Sequence, residues 1–246
     1  MIINQGVQLS GGVRVVSEVP AVILPVTSGL QVNLLSAPSS GTTWTDASGN
    51  GRNATLQGSA SYVATNGGGI RLNNATYGGT DYISVPYNIA SSTVTVEMVA
   101  SFNPTSTWAT IWGNEVYNSG TGYYAYMLSS TSMTWGKSPG NISTSITASN
   151  AIRHWIWVIN GTTYTLYLNG AQSYTTTSSP AQTAFATSEF LIGARHLNGG
   201  TGATDKMNNS TAANYPVFYQ MRIYNRALSG SEITQNYNAI KGTYGI

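Results

Sequence analysis

Cysteine is absent from the 246-residue chain, which removes disulfides and thiolate metal sites from its chemistry. A β domain of that length buries enough core to fold without such staples. Charge is nearly as scarce: Asp, Glu, Lys and Arg make up 7% of the residues, for a formal net charge of +2. Binding to a nucleic-acid backbone needs clustered cations, and Arg14, Arg52, Arg71 and Arg153 are scattered, so no nucleic-acid partner is expected. No apolar run reaches the length needed to cross a bilayer, so no membrane partner is expected either. The opening Met-Ile-Ile-Asn-Gln-Gly has no basic stretch and no export-signal core follows it. A surface solvated by Ser, Thr, Asn and Gly suits a rigid extracellular or virion protein, and a start at Met1 without an export signal favours the virion.

Catalytic groups are also sparse. The acids are Glu18, Asp46, Asp81, Glu97, Glu115, Glu189, Asp205 and Glu232, and no two stand two or four residues apart, the spacing that pairs carboxylates on one strand face. A retaining glycosidase needs two carboxyl groups about 5 Å apart. Glu97 falls on the polar face of a strand and is expected to be exposed. There is no Gly-x-Ser-x-Gly elbow and no His-Glu-x-x-His, and of the two histidines His154 reads as a hydrogen-bonded structural residue. The chain is expected not to be an enzyme.

What the sequence does hold is strand period. Val94, Val96, Met98, Ala100 and Phe102 alternate with polar residues, which predicts a strand over 93–102. Trp155 to Ile159 and Thr163 to Leu168 read as a hairpin joined through Asn160-Gly161, and Asn169-Gly170 turns the chain again. Polar loops are expected over Ser138–Asn150 and Leu197–Asn214. Near the end, alternation sets Phe218, Gln220, Arg222 and Tyr224 against Tyr219, Met221, Ile223 and Asn225. Ser229 and Glu232 then form a capping box, because each can satisfy a free N–H at a helix start. Ile233, Tyr237 and Ile240 share a helical face, and Gly242 is expected to close the helix. Together these predict an all-β, two-sheet antiparallel jelly-roll sandwich with one short C-terminal helix and an extended N-terminal arm.

The run Met221-Arg-Ile-Tyr-Asn-Arg-Ala-Leu-Ser with Glu232-Ile233 resembles the closing signature of laminin-G-like jelly rolls in the concanavalin A-like lectin/glucanase superfamily. Asp46-Ala-Ser-Gly-Asn-Gly-Arg-Asn53, Asp81-Tyr-Ile-Ser-Val-Pro86 and the Trp155–Gly170 hairpin resemble further family segments in the same order. The resemblance divides the chain into an arm, residues 1–28, and a jelly-roll domain, residues 29–246. The glucanases of the superfamily carry Glu-x-Asp-x-x-Glu, which is missing here. Family members often place an acid just before the Arg-Ile-Tyr run; Tyr219-Gln220-Met221 has none, which weakens the calcium that the resemblance implies.

Three candidate sites follow. Sugar binding needs aromatic faces beside amides, and Trp108, Trp112, Trp135 and Tyr123-Tyr124-Ala-Tyr126 with Asn114 and Asn141 supply both, of which Trp112, Asn114, Tyr123, Trp135 and Asn141 are the selected set; a jelly roll also needs core aromatics, which is the competing use of most such rings. Asp46, Ser48 and Asn50 have the oxygen spacing of half a calcium loop, with Gln57 where a bidentate glutamate belongs; the competing reading is an Asx-type turn. No other cofactor is expected. Val7, Leu9, Val13, Val15, Val22, Ile23 and Leu24 give the arm an apolar character suited to docking, with glycines turning a hairpin around residues 10–12. Two functions stay open. One is a phage capsid decoration (cement) or fibre protein, homo-oligomeric and docked on other virion subunits such as a capsid protein. The other is an extracellular carbohydrate-binding lectin module with glycans as ligands.

Overall fold

The computed structural model describes the chain apart from residues 1–6, 9–13, 16–22, 77, 105–106, 117–119, 138–139, 178–188, 197–201 and 210; for 7–8 and 14–15 it describes the backbone. Two large antiparallel sheets face each other. One, here the open sheet, runs Ile142–Ser145, Ser132–Lys137, Tyr123–Ser129, Ala109–Gly113, Phe190–Ile192, Tyr82–Val85, Ala54–Gln57, Thr43–Trp44. The other runs Ala171–Thr177, Thr163–Leu168, Ser149–Asn160, Thr93–Phe102, Val217–Tyr224, Gly69–Arg71, Ser61–Val63, with Leu30–Leu34 also beside Val217–Tyr224. The helix Gly230–Tyr244 lies on the outer face of this second, helix-backed sheet. The arm contains a short ladder, Val7–Gln8 with Arg14–Val15.

The inner faces meet in one apolar core. Val94, Val96, Met98, Ala100 and Phe102 project into it together with Trp155, Trp157 and Ile159. The hairpin turn is displaced by one residue from its expected place: Asn160 pairs with Thr163, so the two-residue turn is Gly161-Thr162, with Gly161 at φ +61°. Asn169 and Gly170 both take positive φ, 49° and 76°, the geometry that joins two strands without splaying them. Residues 138–150 are not one long loop. Ile142–Ser145 is the edge strand of the open sheet, and Ile142, Ile146 and Ala148 pack into the core.

Simple alternation also breaks in Val217–Tyr224. A register shift between Phe218 and Gln220 marks a β-bulge. It brings Phe218 into the core with Met221 and Ile223, whereas Tyr219, Gln220, Arg222 and Tyr224 lie on the helix side. The Ser229–Glu232 capping box forms as expected, but the helix runs past Gly242 and ends at Gly245 in the left-handed conformation, φ +67°.

Beneath the helix lies a polar network centred on Glu97, which is fully buried rather than exposed. The period correctly assigns Glu97 to the outer face, but the helix covers that face. Its Oε1 accepts from Arg222 Nη1 at 2.7 Å and His154 Nε2 at 3.0 Å, and its Oε2 from Asn236 Nδ2 at 2.6 Å. Burial alone would raise the Glu97 carboxyl; the Arg222 guanidinium, His154 and Asn236 more than reverse this and hold it down at about 2. The same network anchors the chain where it enters the sandwich. Val26 N–H donates to Asn236 Oδ1 at 2.8 Å, Tyr224 O–H donates to Val26 O at 3.1 Å, and the Val26 side chain is buried.

Candidate functional site

The strand Tyr123–Ser129 sends Tyr123, Ala125 and Met127 into the core and Tyr124 and Tyr126 to the outer face of the open sheet. On that outer face the two tyrosine rings stack at 5.4 Å, and the Trp108 ring lies 5.1 Å from Tyr126. Trp108 is 45% exposed and holds φ +64°, a backbone region that costs a bulky residue about 1–3 kcal/mol. Because Ala109 pairs with Met127 and Thr110 with Tyr126, the indole is fixed at the start of its strand above a stack of rings.

The base of the stack is charged. The Arg195 guanidinium carbon sits 5.7 Å from the Tyr124 ring centre and 5.8 Å from that of Tyr126. Its Nη1 donates to Glu115 Oε2 at 3.2 Å, and its Nε and Nη2 reach Asp205 Oδ2. All three groups are buried, and burial pushes the Glu115 carboxyl up to about 7 against the opposing pull of Arg195. Thr110 N–H donates to the Asp205 carbonyl at 2.9 Å, and Lys206 pairs alongside Thr110 as a parallel bridge, with its Nζ donating to Ala203 O at 2.8 Å. Across the sheet from Tyr126, Thr134 and Ser143 share a hydroxyl hydrogen bond of 3.0 Å. The result is a rigid aromatic stack in which Tyr124 and Tyr126 are buried and the Trp108 ring alone is open to solvent.

The five residues that sequence reasoning selected for sugar binding do not converge here. Trp112, Tyr123 and Trp135 are in the core. A register shift between Thr110 and Trp112 turns Trp112 inward beside Ile111, where it stacks on Phe190 at 5.5 Å and meets Trp157 edge-on at 5.7 Å. Asn114 is buried, with its Oδ1 accepting from Tyr123 N–H at 2.9 Å. Asn141 is exposed, beside the edge strand Ile142–Ser145. Sequence reasoning counts Trp108 among the available aromatics without selecting it, and it gives no sign of Arg195 and Asp205 as a site. Glu115 and Arg195 are 80 residues apart in sequence, so no local spacing signals their meeting.

The Asp46 turn closes on itself. Asp46 Oδ1 accepts from Asn33 and Ser48 N–H at 2.8 and 2.9 Å, and Oδ2 from Arg52 N–H at 2.9 Å and the Ser48 hydroxyl at 2.7 Å. Burial would raise this carboxyl, but the Ser48 and Arg52 N–H groups lead the bonds that lower it. Asn50 turns its N–H donors, not its oxygen, toward the Leu30 and Gln31 carbonyls. The three side chains therefore do not present converging oxygens, and the donor set does not fit calcium. Among the described residues no group of three His, Cys, Asp or Glu could hold a metal ion.

Of the docking residues, Ile23 and Leu24 are exposed, at 47% and 67%. Val7 pairs with Val15 in the arm ladder, while Leu9, Val13 and Val22 lie outside the described residues. No described helix is long and apolar enough to cross a membrane.

A laminin-G-type family model, described as the concanavalin A-like lectin/glucanases superfamily, matches residues 77–234. No curated protein sequence matches the chain. Among solved structures, the chain is similar to the binding domain of Paraclostridial Mosquitocidal Protein 1, with a TM-score of 0.65 and 19% identity, covering 89% of this chain and 55% of that one. It is similar to the binding domain of botulinum neurotoxin serotype D, with a TM-score of 0.65 and 13% identity, covering 87% and 52%. It thus spans about half the length of those toxin binding domains. Domain 4 of AbnA, an extracellular arabinanase from Geobacillus stearothermophilus solved in complex with arabinotriose, matches over its whole length. Its TM-score is 0.60 at 17% identity, covering 85% of this chain and 98% of that one. At these identities the likeness is one of fold.

Proposed function

Since the chain belongs to the concanavalin A-like lectin/glucanases superfamily, we propose that it is a non-enzymatic, lectin-like binding module whose ligand is a carbohydrate. One observation carries this reading: the exposed Trp108, held in a strained conformation and backed by Tyr126, Tyr124 and Arg195. A flat indole face matches the C–H face of a sugar ring. The full-length match to an arabinotriose-bound domain agrees in scale with such a module. Titration of arabino-oligosaccharides, galacto-oligosaccharides and cello-oligosaccharides into the intact chain tests it. Trp108→Ala is expected to weaken binding at least tenfold, about 1.4 kcal/mol. Unchanged binding in that variant would remove Trp108 from the site.

The non-enzymatic part rests on where the acids sit. Glu97 is sealed beneath the helix, Asp46 ties its own turn, and Glu115 and Asp205 are both buried against Arg195. None of these four is placed to reach a glycosidic oxygen from solvent, and the exposed Glu189 accepts from the Ser84 hydroxyl. Release of reducing sugar that disappears in Glu115→Gln would overturn this.

A second reading, compatible with the first, makes the module a virion component such as a phage capsid decoration or fibre protein, homo-oligomeric and docked on capsid subunits by its arm. It is favoured by Ile23 and Leu24, exposed just before the buried anchor at Val26. Pull-down on particles tests it: a chain beginning at Pro25, which lacks both, that binds as well as the full chain would exclude the arm as the docking element.

A further inference from the structure

Resting on that reading of the Trp108 platform, we infer that its ligand is a neutral saccharide and that acidic sugars, whether sialylated, uronic or sulfated, are refused. The inference comes from accounting for every cation in the chain, since a buried or surface-bound anion needs a cation or a nest of N–H groups to replace its water. There are ten Lys and Arg residues. At the platform, Arg195 is buried and already divided between Glu115 and Asp205, so it supports the rings and offers no open charge. Lys206 is half-buried, with its amine on the Ala203 carbonyl and attracted by the neighbouring Asp205 carboxylate.

The other cations are elsewhere. Lys137 is buried and pairs with Tyr123, whereas Trp108 sits near Met127; four residues along the strand separate those positions by about 13 Å. Arg222 is bound to Glu97, and Arg226 to Glu232 at the helix start. Arg52 and Arg71 stand over Tyr87 and Tyr215, Arg153 over Trp155, and Lys241 over Tyr237. Arg14 belongs to the arm ladder.

The stretches neighbouring the platform in sequence add no charge. Residues 105–106, 117–119, 138–139 and 197–201 contain no Lys, Arg, Asp or Glu. The cations nearest Trp108 are thus already engaged by carboxylates and a backbone carbonyl, which leaves an anion nothing to replace its hydration.

The test compares matched pairs on the intact chain at 0.15 M salt: lactose with sialyllactose, and galactotriose with trigalacturonic acid, alongside arabinotriose and cellotriose. Each is titrated into the wild type, Trp108→Ala and Trp108→Phe. The expected result is binding of at least one neutral sugar, lost at least tenfold in Trp108→Ala and largely kept in Trp108→Phe, with each acidic partner at least tenfold weaker. An acidic sugar that binds as tightly as its neutral partner and is lost in Trp108→Ala overturns the neutral specificity but leaves the platform standing. Binding indifferent to Trp108 overturns the platform, and silence across the panel overturns both.

Discussion

Replacing Arg222 by Met keeps most of the unbranched stem and removes the charge that faces Glu97. Glu97 has no exposure, and its Oε1 takes a 2.7 Å bond from Arg222. Breaking a buried ion pair from one side costs about 3–5 kcal/mol, because the remaining carboxylate has lost its countercharge without regaining water. For a domain of this size that is a fall of about 6–20 °C in Tm. The pH dependence identifies the cause. The Glu97 carboxyl lies at about 2 in the fold against an ordinary value of 4.5, so the network contributes stability above pH 4.5 and loses it as pH falls toward 2. That difference corresponds to about 3 kcal/mol. In Arg222→Met the lowering is relieved, so the gap between the two proteins should narrow through that window. The double variant Glu97→Gln/Arg222→Met, with no orphaned charge, should recover much of the loss. Urea denaturation followed by tryptophan fluorescence at pH 7 and pH 3 reads all three. A cost for Arg222→Met under about 1 kcal/mol at pH 7, or a gap of equal size at both pH values, would refute the reasoning.

Glu115 should act in the opposite sense: burial raises it from 4.5 to about 7, so its contribution is full below pH 4.5 and is lost as pH rises through 7. Glu115→Gln should flatten the stability curve across that interval, by on the order of 3 kcal/mol in a pH series of denaturant titrations. Asp46→Ala should cost about 1–3 kcal/mol by orphaning the N–H groups of Asn33, Ser48 and Arg52, whereas a chelator should leave Tm unchanged within about 5 °C. A chain beginning at Ile23 should melt with the full chain. One beginning at Ser28 loses the buried Val26, worth about 1.5–3 kcal/mol, and its hydrogen bonds to Asn236 and Tyr224, and should melt several degrees lower by calorimetry.

Much of the fold was legible because period and turn chemistry are local. The strand Thr93–Phe102 has the bounds its alternation predicts, and the Ser229–Glu232 box caps the helix. The errors share a cause. A bulge adds a residue to one strand and reverses the phase that alternation assumes, which is why Phe218 and Trp112 both face the core. Period also says which face a residue lies on, not what covers that face; Glu97 was placed on the right face and assigned the wrong environment. The platform was less legible than the fold. Tyr124 and Tyr126 are phased outward by their strand, but the junction of Glu115, Arg195 and Asp205 is made by chain segments far apart in sequence. Trp108 is one of several aromatics the sequence offers for sugar binding, and the positive φ that sets it apart is visible only in the folded backbone.

The clip at Val26 gives the molecule a polarity. Val26 is held by Asn236 and Tyr224 on the side of the helix, while Trp108 stands on the outer face of the opposite sheet. Two sheets packed about 10 Å apart lie between them. The point at which the chain leaves the sandwich at Val26 is therefore on the far side from the indole, so a tether attached there leaves the aromatic face open. A tether and a ligand need not compete for surface, and several copies held by their arms would present their platforms in one direction, where weak individual contacts add up by avidity.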